Sequence, residues 1–178
     1  MGAKVLVVYA TWHGSTEGVA RRVAERLAGA GAAVDVAEAG AAADVAGRDA
    51  VVVGGAIRMG SLHPRARKFL AHHRAALAGK KVALFCVCLA AKDSTDESRT
   101  ETDGYLKAAR DAFPEVTFVE TAAFAGAYIR ERASWPVRLL FRAMHQPPAD
   151  FRDWAAIDAW SAKVTAAFGV GGSGSPGR

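Results

Sequence analysis

The 178-residue chain contains only two cysteines. No CxxC pair and no His/Cys cluster suggests a metal or redox site. Cys86 and Cys88 stand two apart in a strand-like run, where they are read as facing opposite sides, unable to bridge easily, and serving as reduced packing residues. No run approaches the roughly 20 apolar residues of a membrane span. The first residues lead straight into a strand pattern, so no signal or transit peptide is expected and a cytoplasmic location is the default. Acidic residues are missing from Ala50 to Lys92, a stretch that holds Arg58, Arg65, Arg67, Lys68, Arg74, Lys80, Lys81 and Lys92. A second basic cluster is Arg130, Arg132, Arg138 and Arg142, and the formal net charge is +5. Such a balance favours acidic substrates, anionic lipid or nucleic acid, with a solvated basic face as the plain alternative. Nucleic acid is disfavoured because no recognised binding module is present. Two phosphate-binding loops are also missing. No Gly-Lys-Ser/Thr follows a glycine turn, and the loop after the first strand has Gly14 and Gly18 only, without GxGxxG spacing. No His/Asp/Ser or Cys/His arrangement reads as a hydrolytic site.

With 51% hydrophobic residues, the chain can bury one full core. Strands are expected over Lys4–Tyr9, Val34–Ala37, Ala50–Gly54, Val82–Leu89 and Val116–Phe124. The third is apolar throughout, as suits a parallel sheet covered on both faces. Ser15–Ala30 reads as a helix, with Val19, Val23 and Leu27 on one face. A second helix follows His63-Pro64, with proline in its first turn and Phe69, Leu70 and Leu77 on its apolar face. The polar stretch Lys92–Asp103 leads to a third over Gly104–Phe113. Trp154–Phe168 is the last, with Ile157, Trp160, Val164 and Phe168 on one stripe. Alternating strands and helices with right-handed crossovers give an α/β fold, a doubly wound five-stranded parallel sheet with helices on both faces.

The stretch Tyr9–Gly18, YATWHGSTEG, lies where the first strand gives way to the first helix. A helix N-terminus leaves N–H groups without intrahelical partners and carries the positive end of the dipole. Thr11, Ser15 and Thr16 add hydroxyl donors, and Gly14 permits a sharp turn. The combination suits an anionic group, most often a phosphate. An ordinary turn with Ser15 or Thr16 as N-cap is the alternative.

The loop Thr11–Thr16 resembles the T-x-[TH]-G-[SN]-T phosphate loop of flavodoxins. The segment Gly54-Gly55-Ala56-Ile57-Arg58-Met59-Gly60 and the run Val87-Cys88-Leu89-Ala90-Ala91-Lys92 are similar to the other two flavin loops of that fold. More narrowly, the chain resembles the flavodoxin-like, quinone-dependent protoporphyrinogen IX dehydrogenases, over about residues 3–168. The resemblance implies strand order 2-1-3-4-5 and FMN held without a covalent bond. It also implies hydrogen removal from a porphyrinogen, with electrons passing to a quinone. Carried onto this sequence, Thr11, His13, Gly14, Ser15 and Thr16 would hold the phosphate, with Trp12 and His13 as a ring wall or cover. Ala56, Ile57, Arg58, Met59 and Gly60 would line one face of the isoalloxazine, and Val87, Cys88, Leu89, Ala90, Ala91 and Lys92 the other. Arg58, at the mouth, is the candidate electrostatic partner of substrate or flavin, with a surface arginine as its alternative and His13 and Lys92 behind it. Met59 stands where an aromatic would stack better, and neither ring-flanking loop contains Tyr or Trp.

The domain is expected to span 1–168, with an insert over 126–153 and a disordered Gly/Ser-rich tail over 169–178. Within the insert, 128–146 reads as a short helix after Trp135-Pro136. Val137, Leu140, Phe141 and Met144 share one face, and Arg138, Arg142 and His145 lie around the other. Such a segment suits a peripheral membrane contact, a lid whose arginines pair tetrapyrrole propionates, or a helix docked on the domain's own sheet edge. Three functions are open on these grounds: an FMN oxidoreductase, a flavodoxin-type electron carrier, or an interaction domain that has lost its flavin. The basic charge and the insert weigh against the carrier, and the Thr/Ser-rich loop against the interaction domain.

Overall fold

In a computed structural model, residues 2–41, 44–93, 95–128 and 149–171 are described. Five strands build the main sheet: β1 (Lys4–Ala10), β2 (Ala33–Glu38), β3 (Ala50–Arg58), β5 (Lys81–Cys88) and β6 (Phe118–Ala125). They are parallel and lie in the order β2-β1-β3-β5-β6, with the short β4 (Ser61–Leu62) folded back on the end of β3. Among the described residues, four helices connect them: α1 (Ser15–Gly29), α2 (Pro64–Leu77), α3 (Asp96–Asp111) and α4 (Trp154–Phe168). A single 3-10 turn, Ala90–Lys92, links β5 to α3. A two-residue ladder of β7 (Ala127–Tyr128) and β8 (Ala149–Asp150) closes the base of the insert. The expected helix within 128–146 falls almost wholly outside the described residues.

The sheet divides the core by the alternation of its side chains. Val5, Val7 and Tyr9 of β1 and Ala83, Phe85 and Val87 of β5 pack with Val19, Val23 and Leu27 of α1 and Ile157, Trp160 and Val164 of α4. Leu6, Val8 and Ala10, with Val82, Leu84 and Cys86, pack with Phe69, Leu70 and Leu77 of α2 and Leu106 of α3. Burying each such Val or Leu contributes about 1.5–3 kcal/mol. Phe85, Phe124 and Trp160 form an aromatic cluster with centroids 5.6–6.1 Å apart. Phe85 is accommodated by Gly54, where a Cβ would stand 2.1 Å from Phe85 Cζ.

Four local readings are corrected. Positions two apart in a strand share a face, so Cys86 and Cys88 lie on the α2/α3 side together. The Cys86 thiol hydrogen-bonds the Cys88 sulfur, which holds Cys86 up and Cys88 down from the ordinary thiol range, and both are free and buried. The third strand does not stop at Gly54. It runs to Arg58 and turns at Met59-Gly60 into a hairpin, both turn residues having positive φ (50° and 75°), as a type I′ turn requires. The third helix begins at Asp96 rather than Gly104, with Thr95 capping it by accepting from Ser98 N–H at 3.2 Å. Its buried stripe is Ser98, Thr102 and Leu106, too polar to show as an apolar period. Finally, Gly169 closes α4 in the left-handed conformation and Val170 is buried in the core, so this part of the expected tail is packed. The rest, 172–178, lies outside the described residues.

Candidate functional site

The carboxyl ends of β1, β3 and β5 are level. Ala10 pairs with Gly55, Gly55 with Cys86, and Ala56 with Val87. The loops that follow these strands therefore emerge side by side, as ligand sites in open parallel sheets require. After β1, Gly14 sits in the left-handed region (φ 90°) and donates its N–H to Thr11 Oγ1 at 2.9 Å. That bond folds Thr11–Gly14 into a tight turn and leaves α1 without any side-chain cap. Thr16 is fully buried and its hydroxyl has no hydrogen-bond partner among the described residues, and the buried His13 Nδ1 has none among them either. Leaving a buried polar group unpaired costs about 1–3 kcal/mol. Two such groups in one loop, beside an uncapped helix start, fit an acceptor-rich anion such as the phosphate of FMN. Burial first, and the Arg58 charge second, lower the His13 pKa, so its imidazole is neutral at pH 7.

Trp12 reaches across to the second loop. Its ring lies 4.1 Å from the His63 ring, and the Arg58 guanidinium sits 5.3 Å from its centroid. His63 is buried and caps α2, its Nδ1 accepting from Arg65 N–H at 3.1 Å. The first two loops are thus joined through Trp12. Ala56 is buried and Ile57 half-buried in the β3–β4 hairpin, whereas Arg58, Met59 and Gly60 project into solvent. On the third loop Val87 and Cys88 are buried, Ala90 and Ala91 half-buried, and Leu89 and Lys92 exposed. The Cys88 sulfur accepts from the backbone of Ala90 and Ala91, so it faces the inside of that turn.

The Lys92 ammonium lies at the base of the insert, 4.8 Å from the centre of the Phe151 ring. Gly126 joins the base of the insert to the phosphate loop: a Cβ there would be 3.2 Å from Val87 Cγ1 and 3.4 Å from Ser15 Oγ. Arg152 crosses the first turn of α1 over Gly18, stacks 4.5 Å from the Trp154 ring and bonds Asp150. His63, Gly126, Phe151 and Arg152 are the contributors that the motifs did not mark. His63-Pro64 signalled a helix start, and nothing in the pattern linked it to Trp12. A groove of about 880 Å³ between Gly40 and α2, lined by Arg65, Lys68, His72 and His73, shares none of the loop residues.

A model of the flavodoxin domain matches residues 6–153, most of the chain. The chain belongs to the flavodoxin family. A comparison with curated proteins finds no match. Solved structures of similar fold include a flavodoxin from the domain Archaea, at 14% identity and TM-score 0.62, covering 93% of this chain and 98% of that chain. The two-electron reduced flavodoxin of Megasphaera elsdenii is 19% identical with TM-score 0.57, over 89% and 98%. A flavoprotein from Lactobacillus acidophilus in complex with FMN is 13% identical with TM-score 0.54, over 68% and 93%. At such identities the likeness carries the fold.

Proposed function

We propose that the protein binds FMN through Thr11–Thr16 and acts as an oxidoreductase on a carboxylate-bearing substrate of the protoporphyrinogen IX type, with a quinone as electron acceptor. The observation that carries the cofactor is the pair of unpartnered buried groups, Thr16 Oγ1 and His13 Nδ1, at the uncapped start of α1. FMN, when bound, supplies a ring system that takes up hydride and releases electrons. The chain's residues supply binding, position and charge. The N–H groups opening α1 and the hydroxyls of Ser15 and Thr16 would bind the phosphate, and the β3–β4 hairpin and the Val87–Lys92 turn would keep water from the two sides of the ring.

The substrate reading is supported by the rim. Arg58 is held against the Trp12 ring, which orients a guanidinium that makes no salt bridge among the described residues. A guanidinium beside an aromatic surface suits an apolar ring system with a carboxylate on its edge. The acid-free stretch from Ala50 to Lys92 adds a field that attracts such anions. A carrier with no substrate of its own would use the same phosphate loop but has no need of an oriented arginine there.

The test is anaerobic. The purified protein is reconstituted with FMN, mixed with protoporphyrinogen IX and a menaquinone analogue, and followed by porphyrin fluorescence against a no-enzyme control. Bound flavin with quinone-dependent porphyrin formation is the expected result. Bound flavin without turnover leaves a carrier or a reductase of another substrate, and no bound flavin after reconstitution overturns the proposal entirely.

A further inference from the structure

Helices are capped most often by Ser, Thr, Asp or Asn, whose short side chains accept from the first backbone N–H groups. Helix α2 is capped instead by His63, whose Nδ1 accepts from Arg65 N–H at 3.1 Å. Asparagine would cap as well, so the imidazole ring is more than the cap requires. That ring is fixed in place. His63 N–H donates to Ala56 C=O at 2.9 Å, and His63 C=O accepts from Arg67 N–H at 3.1 Å. Pro64 follows at the start of the helix, and its own ring restricts the backbone there. With 6% of its surface exposed, His63 is a rigid plate between β3 and the first turn of α2.

Trp12 is a residue of the opposite kind, 41% exposed in the short loop between β1 and α1. Its ring lies 4.1 Å from the His63 ring at an interplanar angle of 40°, and the Arg58 guanidinium lies 5.3 Å from its centroid. A buried side chain therefore touches a half-exposed one, which touches an exposed one. Burial first, and the Arg65 charge second, lower the His63 pKa against an opposing pull from Glu38, so a neutral ring meets Trp12 at pH 7. With Nδ1 accepting, the proton of that neutral ring is on Nε2, and turning the ring over would break the cap. We propose that His63 is a positioning residue of the flavin site: its imidazole, locked by the cap, holds the Trp12 indole and, through it, the Arg58 guanidinium at the mouth. Without the imidazole, both side chains would be free to change rotamer, and ordering them on binding would cost affinity. The inference rests on the FMN reading for what the two side chains are held toward, whereas the stack itself is testable without flavin.

The experiment uses two substitutions that divide the histidine. His63→Asn keeps an acceptor for the cap and removes the ring, and His63→Phe keeps a ring and removes the acceptor. The Trp12 indole N–H resonance is followed in isotope-labelled, flavin-free protein and identified by its loss in Trp12→Ala. His63→Asn should move that resonance while the melting temperature is kept, and His63→Phe should leave it near its original place while the melting temperature falls. After reconstitution, His63→Asn should weaken FMN binding about two- to tenfold, the worth of one aromatic pair, and His63→Phe less. With protoporphyrinogen IX as substrate, His63→Asn should raise KM more than it lowers kcat. A folded His63→Asn protein with an unmoved Trp12 resonance and unchanged FMN affinity overturns the proposal. Equal losses of affinity in both folded variants also overturn it, because the cap rather than the ring would then be responsible. If His63→Phe does not fold, a double-mutant cycle of His63→Asn with Trp12→Ala decides: overlapping losses of affinity support the stack, and additive ones overturn it. A wild-type protein that binds no FMN refutes the functional reading and any role of the stack toward flavin, and the Trp12 resonance then decides the stack alone.

Discussion

Thr16 carries a hydroxyl that water satisfies in the unfolded chain and that nothing satisfies among the described residues of the folded one. Its methyl group packs, so valine fills the same space without the unpaired oxygen. Thr16→Val should leave the flavin-free protein as stable as before or slightly more so. It should weaken FMN binding about ten- to hundredfold, the worth of one hydrogen bond to a charged group. A flavin fluorescence titration beside a thermal melt reads both quantities. Lower stability with unchanged affinity would make the hydroxyl structural and refute the assignment. The loop was legible in the sequence because its chemistry is local: hydroxyls, a turn glycine and a helix start within six residues. His63 was not, since its place beside Trp12 depends on β3, its hairpin and α2 all folding first. The cysteine pair shows the other kind of failure, where a register argument was taken with the wrong period although the strand was read correctly.

Among the elements, β3 is where glycine misled the reading. Gly54 and Gly55 suggest the end of a strand, yet Gly54 lies inside it because Phe85 of the neighbouring β5 occupies the volume that a side chain would need. Gly54→Ala would drive a methyl group into a ring already packed near Phe124 and Trp160, and should destabilise by about 1–3 kcal/mol or more. Denaturant unfolding followed by circular dichroism measures it, and a near-neutral effect would mean that the ring has room to move. Helix α3 was shortened in the sequence reading for an opposite reason. Its first buried turns carry Ser98 and Thr102, whose hydroxyls bond the carbonyls of Asp93 and Arg99 at 2.6 and 3.0 Å, so polar side chains fill an inward face.

Helix α2 carries the pH dependence. Burial, as the leading cause, lowers the pKa of His63, and it does the same for His13 and His73. The unfolded chain then binds more protons than the native one just below pH 6.5, so stability should be full above that value and fall as pH drops through the lowered folded-state values. Protonating His63 Nδ1 also turns the acceptor of the Arg65 N–H into a donor and removes the cap. His63→Asn keeps an acceptor at the cap and should flatten the decline between pH 7.5 and 5, which melting temperatures across that range would show. An unchanged slope would assign the dependence to His13 and His73.

For the molecule as a whole, the charge asymmetry and the fold act on the same place. Parallel strands bring three loops to one end of the sheet, and the acid-free stretch from Ala50 to Lys92 supplies two of those loops with Arg58 and Lys92. A cation at that end stabilises electron-rich reduced flavin over the oxidised form, and therefore raises its midpoint potential. Arg58 is exposed and water screens it, so its contribution is about 1 kcal/mol, equivalent to about 20 mV for a two-electron couple. Arg58→Gln should lower the potential by about that amount, Arg58→Lys by less, and the difference should shrink in high salt. The same variant should raise KM for a carboxylate-bearing substrate more than it lowers kcat, because the guanidinium recognises the carboxylate in the ground state as well as during reaction. Spectroelectrochemistry with a substrate series separates the two roles. A shift in potential with unchanged KM would leave Arg58 as a tuner of the flavin alone and would favour the carrier. An unchanged potential together with an unchanged KM would remove Arg58 from the site.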